Sequence, residues 1–326
     1  MNLTLKIKSA LLVCFFLSIG KEAFSANELN LPPNELGKVM VLMYHRIGGP
    51  ESTWSRTPQK FREDLEMLYK KGYYLINLID LVEGKINVPK GKTPVVLTFD
   101  DTAAGQINFI NETWDPECAV GMINEIFQRH PDFGRAGSFY LNPKNENKTE
   151  NAFLKEALPA MVKLGYELGN HTVTHPHLNV LSQEKVEKEI AGVQEWVEKL
   201  VPGYSLKTMA MPHGIFPKDI NWAKEGTYNG VSYHMKAFLK VGADAAVSPY
   251  SSRFNSLAIP RLRASEKFDR PSDGRMYYMI GNIEAFDKNP SLRFISDGDP
   301  STVTVPAKRA KELHQNVKKY FEVIVN

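Results

Sequence analysis

Cysteine is almost absent from this 326-residue chain, which has only Cys14 and Cys118. A disulfide framework is therefore excluded, and a hydrophobic core must hold the fold, which about 300 residues can supply. No run of five like charges occurs, and Lys+Arg exceed Asp+Glu only by 40 to 37. That balance points neither to nucleic acid nor to an anionic membrane surface as a partner. Apart from one stretch near the start, no apolar run approaches the roughly 20 residues that a spanning helix needs. There is no internal repeat and no Gly/Ser linker, so arrays and strings of separated domains lack support. What remains is ordinary globular usage, 43% hydrophobic and 24% charged.

The exceptional stretch reads as an address. Lys6 and Lys8 precede an apolar run from Ala10 to Ile19, broken by Ser18, and the segment ends Ala23-Phe24-Ser25. A basic start, a short apolar middle and small residues before the break are the marks of a secretory signal, with cleavage after Ser25. The alternative, an uncleaved membrane anchor, needs a longer run. Loss of residues 1–25 removes Lys6, Lys8, Lys21 and Glu22, so the net charge falls from +3 to +1 and Cys118 is the only thiol left. The expectation is an exported protein (periplasm, cell wall or exterior) with no membrane span after signal removal. Residues 26–37, polar and Pro-bearing, read as a linker.

Strand-like and helix-like segments then alternate. Val39–Tyr44, Pro94–Phe99, Gly137–Leu141, Tyr166–Leu168, Leu206–Met211 and Leu257–Leu262 read as short buried strands. Pro58–Lys71, Cys118–Gln128, Ala152–Leu164 and the stretch from Ser182 to Leu200 read as helices. Such alternation predicts a parallel sheet with crossover helices, closed or nearly closed as a barrel, with a doubly wound open sheet as the alternative. The barrel is expected over residues 38–290. Residues 291–326 are expected as an extension packed on it, with Thr302–Val305 an edge strand and Ala307–Ile324 a surface helix.

In parallel α/β folds, sites form beyond the carboxyl ends of strands. Here those ends carry His45, Asp100-Asp101, His171 with His175 and His177, Pro212-His213-Gly214, and Arg261 with Arg263. His171 and His175, four apart before Pro176, form an H-x-x-x-H pair in a loop. Neutral imidazoles together with a carboxylate suit a borderline cation such as zinc, with a position open for water. The adjacent aspartates allow one to ligate and the other to act as general base. Taken alone, each cluster has a plainer explanation: a helix N-cap and its neighbour, or surface histidines beside a turn. Jointly they favour a mononuclear metal hydrolase. The turn at His213 offers backbone N–H groups that can hold an oxyanion. Arg261 is open between orienting a carboxylate, binding substrate and carrying a surface charge.

Together these segments resemble the NodB-homology polysaccharide deacetylases, carbohydrate esterase family 4, from about Val39 to Ala264. The most specific parts are Thr98-Phe99-Asp100-Asp101 and His171-Thr-Val-Thr-His175-Pro, about 70 residues apart. Pro212-His213-Gly214 stands where the family has a Pro-Tyr-Gly-like turn. The resemblance implies a distorted (β/α) barrel of about seven parallel strands, with a divalent metal, zinc first, on Asp101, His171 and His175. It also implies Asp100 as general base and the His213 backbone N–H as an oxyanion donor. The substrate would be an N-acetylated polysaccharide, deacetylated to acetate and a free amine.

Three departures stand out. Thr102 follows the aspartates where Gly or Ser is usual. Met209-Ala210-Met211 lacks the third-motif arginine that orients the base, which makes Arg261 a candidate replacement. No late Leu-x-His supplies the general acid. The opening Tyr44-His45 resembles the branch that deacetylates poly-N-acetylglucosamine, which makes His45 the candidate acid ahead of His177 and His234. His314 lies in the tail. The stretch Asp115–Phe133 is longer than usual in the family and is expected to shape a groove. Two other readings compete: a catalytically silent glycan-binding relative, and an O-acetyl esterase on the same fold.

Overall fold

Residues 31–102, 105–144, 153–242, 244–265, 274 and 277–326 are described by a computed structural model. The signal reading of residues 1–25 lies outside the described residues. Near-continuous apolar runs such as Thr93–Asp100 suit strands covered on both faces, as parallel sheets are. Eight of them form one curled parallel sheet: β1 (Met40–Tyr44), β2 (Tyr73–Ile76), β3 (Thr93–Asp100), β4 (Ser138–Leu141), β5 (Glu167–Asn170), β6 (Thr208–Ala210), β7 (Ala237–Leu239) and β8 (Leu262–Arg263). Their spatial order is β7-β6-β5-β4-β3-β1-β8, with β2 beside the first half of β3.

The expected crossover helices are present on the outside: α1 (Pro58–Lys70), α2 (Ala119–Arg129), α3 (Leu154–Lys163) and α4 (Gln183–Leu200). Thr57 caps α1 by accepting from the Lys60 N–H, with Pro58 at the first helical position. Strand alternation sorts the side chains into two layers. Leu97 and Phe99 of β3 pack outward with Phe61, Leu65 and Ile123 under the helices. Val41, Val96, Tyr140 and Leu239 fill the inside.

The two edges of the sheet are joined by a short seam. Ile259 bridges Leu239 in parallel on one side, and Leu262 pairs with Leu42 on the other. The Lys240 N–H donates to the Ile259 carbonyl at 2.9 Å. The sheet is thus the distorted (β/α) barrel, with residues 259–263 as its closing stave.

Several expectations need correction. The stretch read as a linker is not free at its end: Asn34 bridges Ile295, and Glu35 and Leu36 are buried. Leu257–Leu262 is not one strand but a 3-10 turn (Ser256–Ala258) followed by the seam and β8. Ala307–Ile324 does not form one helix. A 3-10 turn (Ala307–Glu312) leads to a single helical turn (Val317–Tyr320) and a strand, Glu322–Val325, parallel to Thr302–Val305. The β-branched run Val323-Ile324-Val325 prefers a pleated pairing, and a neighbouring Thr-Val-Thr-Val strand provides it. Asp115–Phe133 is mostly α2 and a 3-10 turn, with Ile123 and Phe133 in the outer layer, and none of its residues lines the cavity at the catalytic motifs. An antiparallel hairpin, Glu225–Tyr228 with Val231–His234, turns through Asn229-Gly230, both at positive φ as a type I′ turn requires.

The tail closes the barrel end opposite the catalytic motifs. Phe294, Val303 and Val305 pack there with Leu36 and Val39. Glu35 is buried in this seal, its Oε2 accepting from the Thr304 N–H at 2.8 Å. Burial pushes its carboxyl up from 4.5 to about 8 despite that bond, with Asp297 adding repulsion. The unfolded chain then releases this proton before the folded one does, so stability falls as pH rises from about 4.5 to 8. Glu35→Gln keeps the acceptor and removes the titration. Relative to wild type, the variant is expected to gain as much as about 5 kcal/mol between those pH limits. Urea midpoints across this range measure it, and parallel pH profiles would contradict it.

Candidate active site

The alternation of β3 sends Thr98 and Asp100 inward, where the seam delivers Arg261 to meet them. Arg261 is 0% exposed, which removes the surface-charge alternative. Its guanidinium grips Asp100 with both branches, Nη1 to Oδ1 at 2.7 Å and Nη2 to Oδ2 at 2.8 Å. Nη1 also reaches Thr98 Oγ1 at 3.2 Å, and Nε donates to the Lys240 carbonyl at 2.8 Å. A planar fork matched to a carboxylate fixes orientation as well as charge. Burial alone would raise the Asp100 pKa, but Arg261, with His171 and His45, outweighs it and holds the carboxyl far below the usual range. The arginine missing from the Met209-Ala210-Met211 segment is thus matched by one from the closing seam, just beyond β7.

Asp101 stands just past the strand end at φ 80°. Its Oδ1 lies 3.5 Å from His171 Nε2 and 3.8 Å from His175 Nε2. One donor atom from each of these three residues falls within 4.8 Å of the others. His171 Nδ1 sits 2.8 Å from the Ala210 carbonyl, which places a proton on Nδ1 and turns Nε2 toward Asp101. His171 Nε2 is buried with no hydrogen-bond partner. Burial and the adjacent His171 push the His175 imidazole down to about 4, so it is neutral near pH 7.

His45 faces the same opening, with Nε2 3.8 Å from Asp100 Oδ2, and burial lowers its pKa. The His213 ring packs on His175 at 4.3 Å and on His177 at 4.4 Å. His213 itself has φ 55°, and the bonds of its turn come from the Gly214 and Ile215 N–H groups, not its own. Asp101, Thr102, Thr172, His175 and His213 are five of the nine non-glycine residues with positive φ among those described. Unfavourable backbone gathered in one place is a mark of functional sites. The cavity here measures about 400 Å³, lined by His45, Trp54, Asp101, His171, His175 and His213 among others.

Some candidates fall elsewhere. His234 sits on the exposed hairpin beside Glu225, 3.2 Å away. His314 accepts from the Asn316 N–H in the tail. Asn170, in one of the four N-x-S/T sequons (Asn2, Asn111, Asn147 and Asn170), is fully buried and donates to the Ile190 carbonyl, which leaves no room for a glycan there. Two residues at the site went unnoticed in the sequence. Gln106 is buried, and its amide donates to the carbonyls of both His45 and Asp100, tying two strand ends together. Trp54 packs against His45 with ring centroids 4.8 Å apart. No spacing rule marks either one, because both come from irregular connections.

Comparison with known proteins supplies the family. The polysaccharide deacetylase family model matches residues 87–231, from before β3 to the hairpin. A peptidoglycan-N-acetylglucosamine deacetylase of Bacillus cereus is 26% identical over 141 residues, 43% of this chain and 44% of its own length. The chain spans half or less of the length of the curated relatives it matches. The deacetylase PplD of Streptococcus pyogenes has the same fold, with TM-score 0.52 at 18% identity over 72% of this chain and 94% of its own. IcaB of Ammonifex degensii does too, with TM-score 0.51 at 16% identity over 71% and 93%. Residues 87–231 therefore carry a polysaccharide deacetylase domain of the NodB-homology type, carbohydrate esterase family 4, a family whose members hydrolyse N-acetyl amide bonds of carbohydrates.

Proposed function

We propose that this protein is an exported, metal-dependent polysaccharide deacetylase that hydrolyses the N-acetyl groups of an amino-sugar glycan. Peptidoglycan, poly-N-acetylglucosamine and chitin-like strands all present that group. The observation that carries the proposal is the meeting, at one opening, of a three-donor cluster with a carboxylate locked by a buried arginine. The donor set suits a divalent ion: two imidazoles and one carboxylate match catalytic zinc sites. The partnerless His171 Nε2 argues the same way, since a buried polar atom without a partner costs free energy. Asp101, His171 and His175 would hold the ion, zinc first. Bound there, it would supply Lewis acidity, acidifying water toward a pKa of ~7 and polarising the acetyl carbonyl.

The side chains supply the rest. Asp100 takes the proton of the attacking water while Arg261 keeps both its oxygens in place. A carboxylate held so low is a weak base, which suits a proton source that is already acidified. The His213 N–H, not used by the bonds of its own turn, would donate to the developing oxyanion. His45, neutral at rest, receives the proton from Asp100 and delivers it to the nitrogen as the C–N bond breaks. Water is consumed, and acetate and the free amine leave.

Acetate release from N-acetylglucosamine oligomers, with acetylated xylan as comparison, tests the proposal. Release from the oligomers alone is expected. Release only from xylan would make the protein an O-acetyl esterase, and no release with metal fully bound would leave it a silent glycan binder. His171→Ala is expected to weaken metal binding by more than about 100-fold, beyond what loss of a supporting contact does. Equilibrium dialysis with zinc measures this, and stoichiometric binding by the variant would refute the ligand set.

A further inference from the structure

One wall of the opening has no task in the chemistry so far. Trp54, on the connection after β1, lines the same cavity as the metal cluster and is 39% exposed. It is held there. The Arg263 guanidinium lies over its ring, 4.9 Å from the centroid, and is itself 5.7 Å from the ring of Tyr278. His45 packs edge-on against it, at an interplanar angle of 68°. Two residues further on, Arg56 is buried and bonded to Asp64 of α1 and, at 2.6 Å, to Glu51. The Tyr44 hydroxyl donates to the same Asp64 at 3.2 Å. One buried carboxylate thus anchors both ends of the connection that presents Trp54.

A large indole left partly open to water yet fixed on several sides is preorganised for a ligand. Its faces are apolar and electron-rich, and a guanidinium over one of them is favourable in its own right. A pyranose has the complementary surface: hydroxyl groups around its edge and C–H bonds across its face. We propose that Trp54 is the sugar platform of the site, on which the pyranose carrying the acetyl group packs its C–H face. The acetyl group is then directed toward Asp101, His171 and His175. The inference rests on the deacetylase reading for the acetyl group, but on Trp54 alone for the sugar.

Calorimetric titration of the full chain with N-acetylglucosamine tetramer tests binding without turnover. Trp54→Ala is expected to weaken binding by about ten-fold or more, an effect of the size expected for a buried aromatic contact, and Trp54→Phe to restore most of it. Sugar-dependent tryptophan fluorescence should vanish in Trp54→Phe and persist in Trp222→Phe, whose indole lies outside the site. In turnover, KM should rise ten-fold or more in Trp54→Ala while kcat changes less. Circular dichroism checks that each variant is folded, and Trp54→Leu replaces any that is not. A fall in kcat at unchanged KM, with an altered pH profile, would mean that Trp54 only positions His45 and would overturn the proposal. So would tetramer binding that ignores all three substitutions, or no saturable binding by wild type. Binding lost in Trp54→Ala, with no acetate released by any form, would uphold the platform and defeat the deacetylase reading.

Discussion

Asp100→Asn is expected to lower kcat for acetate release by about 10²–10⁴-fold, the usual worth of a positioned acid–base group. The amide keeps the shape of the carboxylate and one acceptor, so Arg261 retains part of its grip. What disappears is the capacity to take a proton. Asp101, His171 and His175 are unchanged, so zinc should still bind one to one. Single-turnover acetate release on zinc-loaded variant and wild type is the measurement. A kcat within ten-fold of wild type would remove Asp100 from the chemistry.

The second large effect is expected on stability. Arg261→Met keeps the length of the side chain and removes its charge, leaving Asp100 buried without its counter-ion. Removing one partner of a buried pair typically costs about 3–5 kcal/mol. Urea unfolding of the zinc-free protein reports this, and acetate release should fall with it because the base is no longer held. The double variant Asp100→Asn with Arg261→Met removes both charges and should regain most of the stability and none of the activity. The coupling in that cycle separates the pair from the packing of each side chain. Arg261→Lys keeps a charge without the fork and should recover only part. A cost below about 1 kcal/mol for Arg261→Met would place the pair in the range of exposed ones.

What could be read from the chain alone follows its periodicities. Met40–Tyr44 and Pro94–Leu97 are apolar at every position, and short runs of this kind suit strands buried on both faces. The aspartates and His171 stand at the carboxyl ends of their strands, with His175 four residues on, so sequence position already implied spatial position. Arg261 is the opposite case. Its partner is 161 residues away, and nothing around it distinguishes a buried fork from a surface charge. Gln106 and Trp54 act from connections whose path is set by tertiary contacts, so no local pattern announces them. The tail misled for a physical reason: Val323-Ile324-Val325 can follow helical spacing, but its preference for a strand is satisfied once Thr302–Val305 lies beside it. Asn229-Gly230 did carry a hairpin signal in its two residues, since few other pairs accept two positive φ angles in succession.

The closing stave has a consequence for the timing of competence. A chain made from its N-terminus presents Asp100, Asp101, His171 and His175 well before residue 261 exists. Until then the carboxylate of Asp100 lacks its guanidinium partner, and the cylinder around it has an open side. Closing the cylinder and completing the charge balance of the site are one event, because the same stave does both. A partly assembled chain therefore holds every donor of the cluster and still lacks an armed site. The geometry of Asp100 and the closure of the cylinder thus depend on the same few residues of the chain.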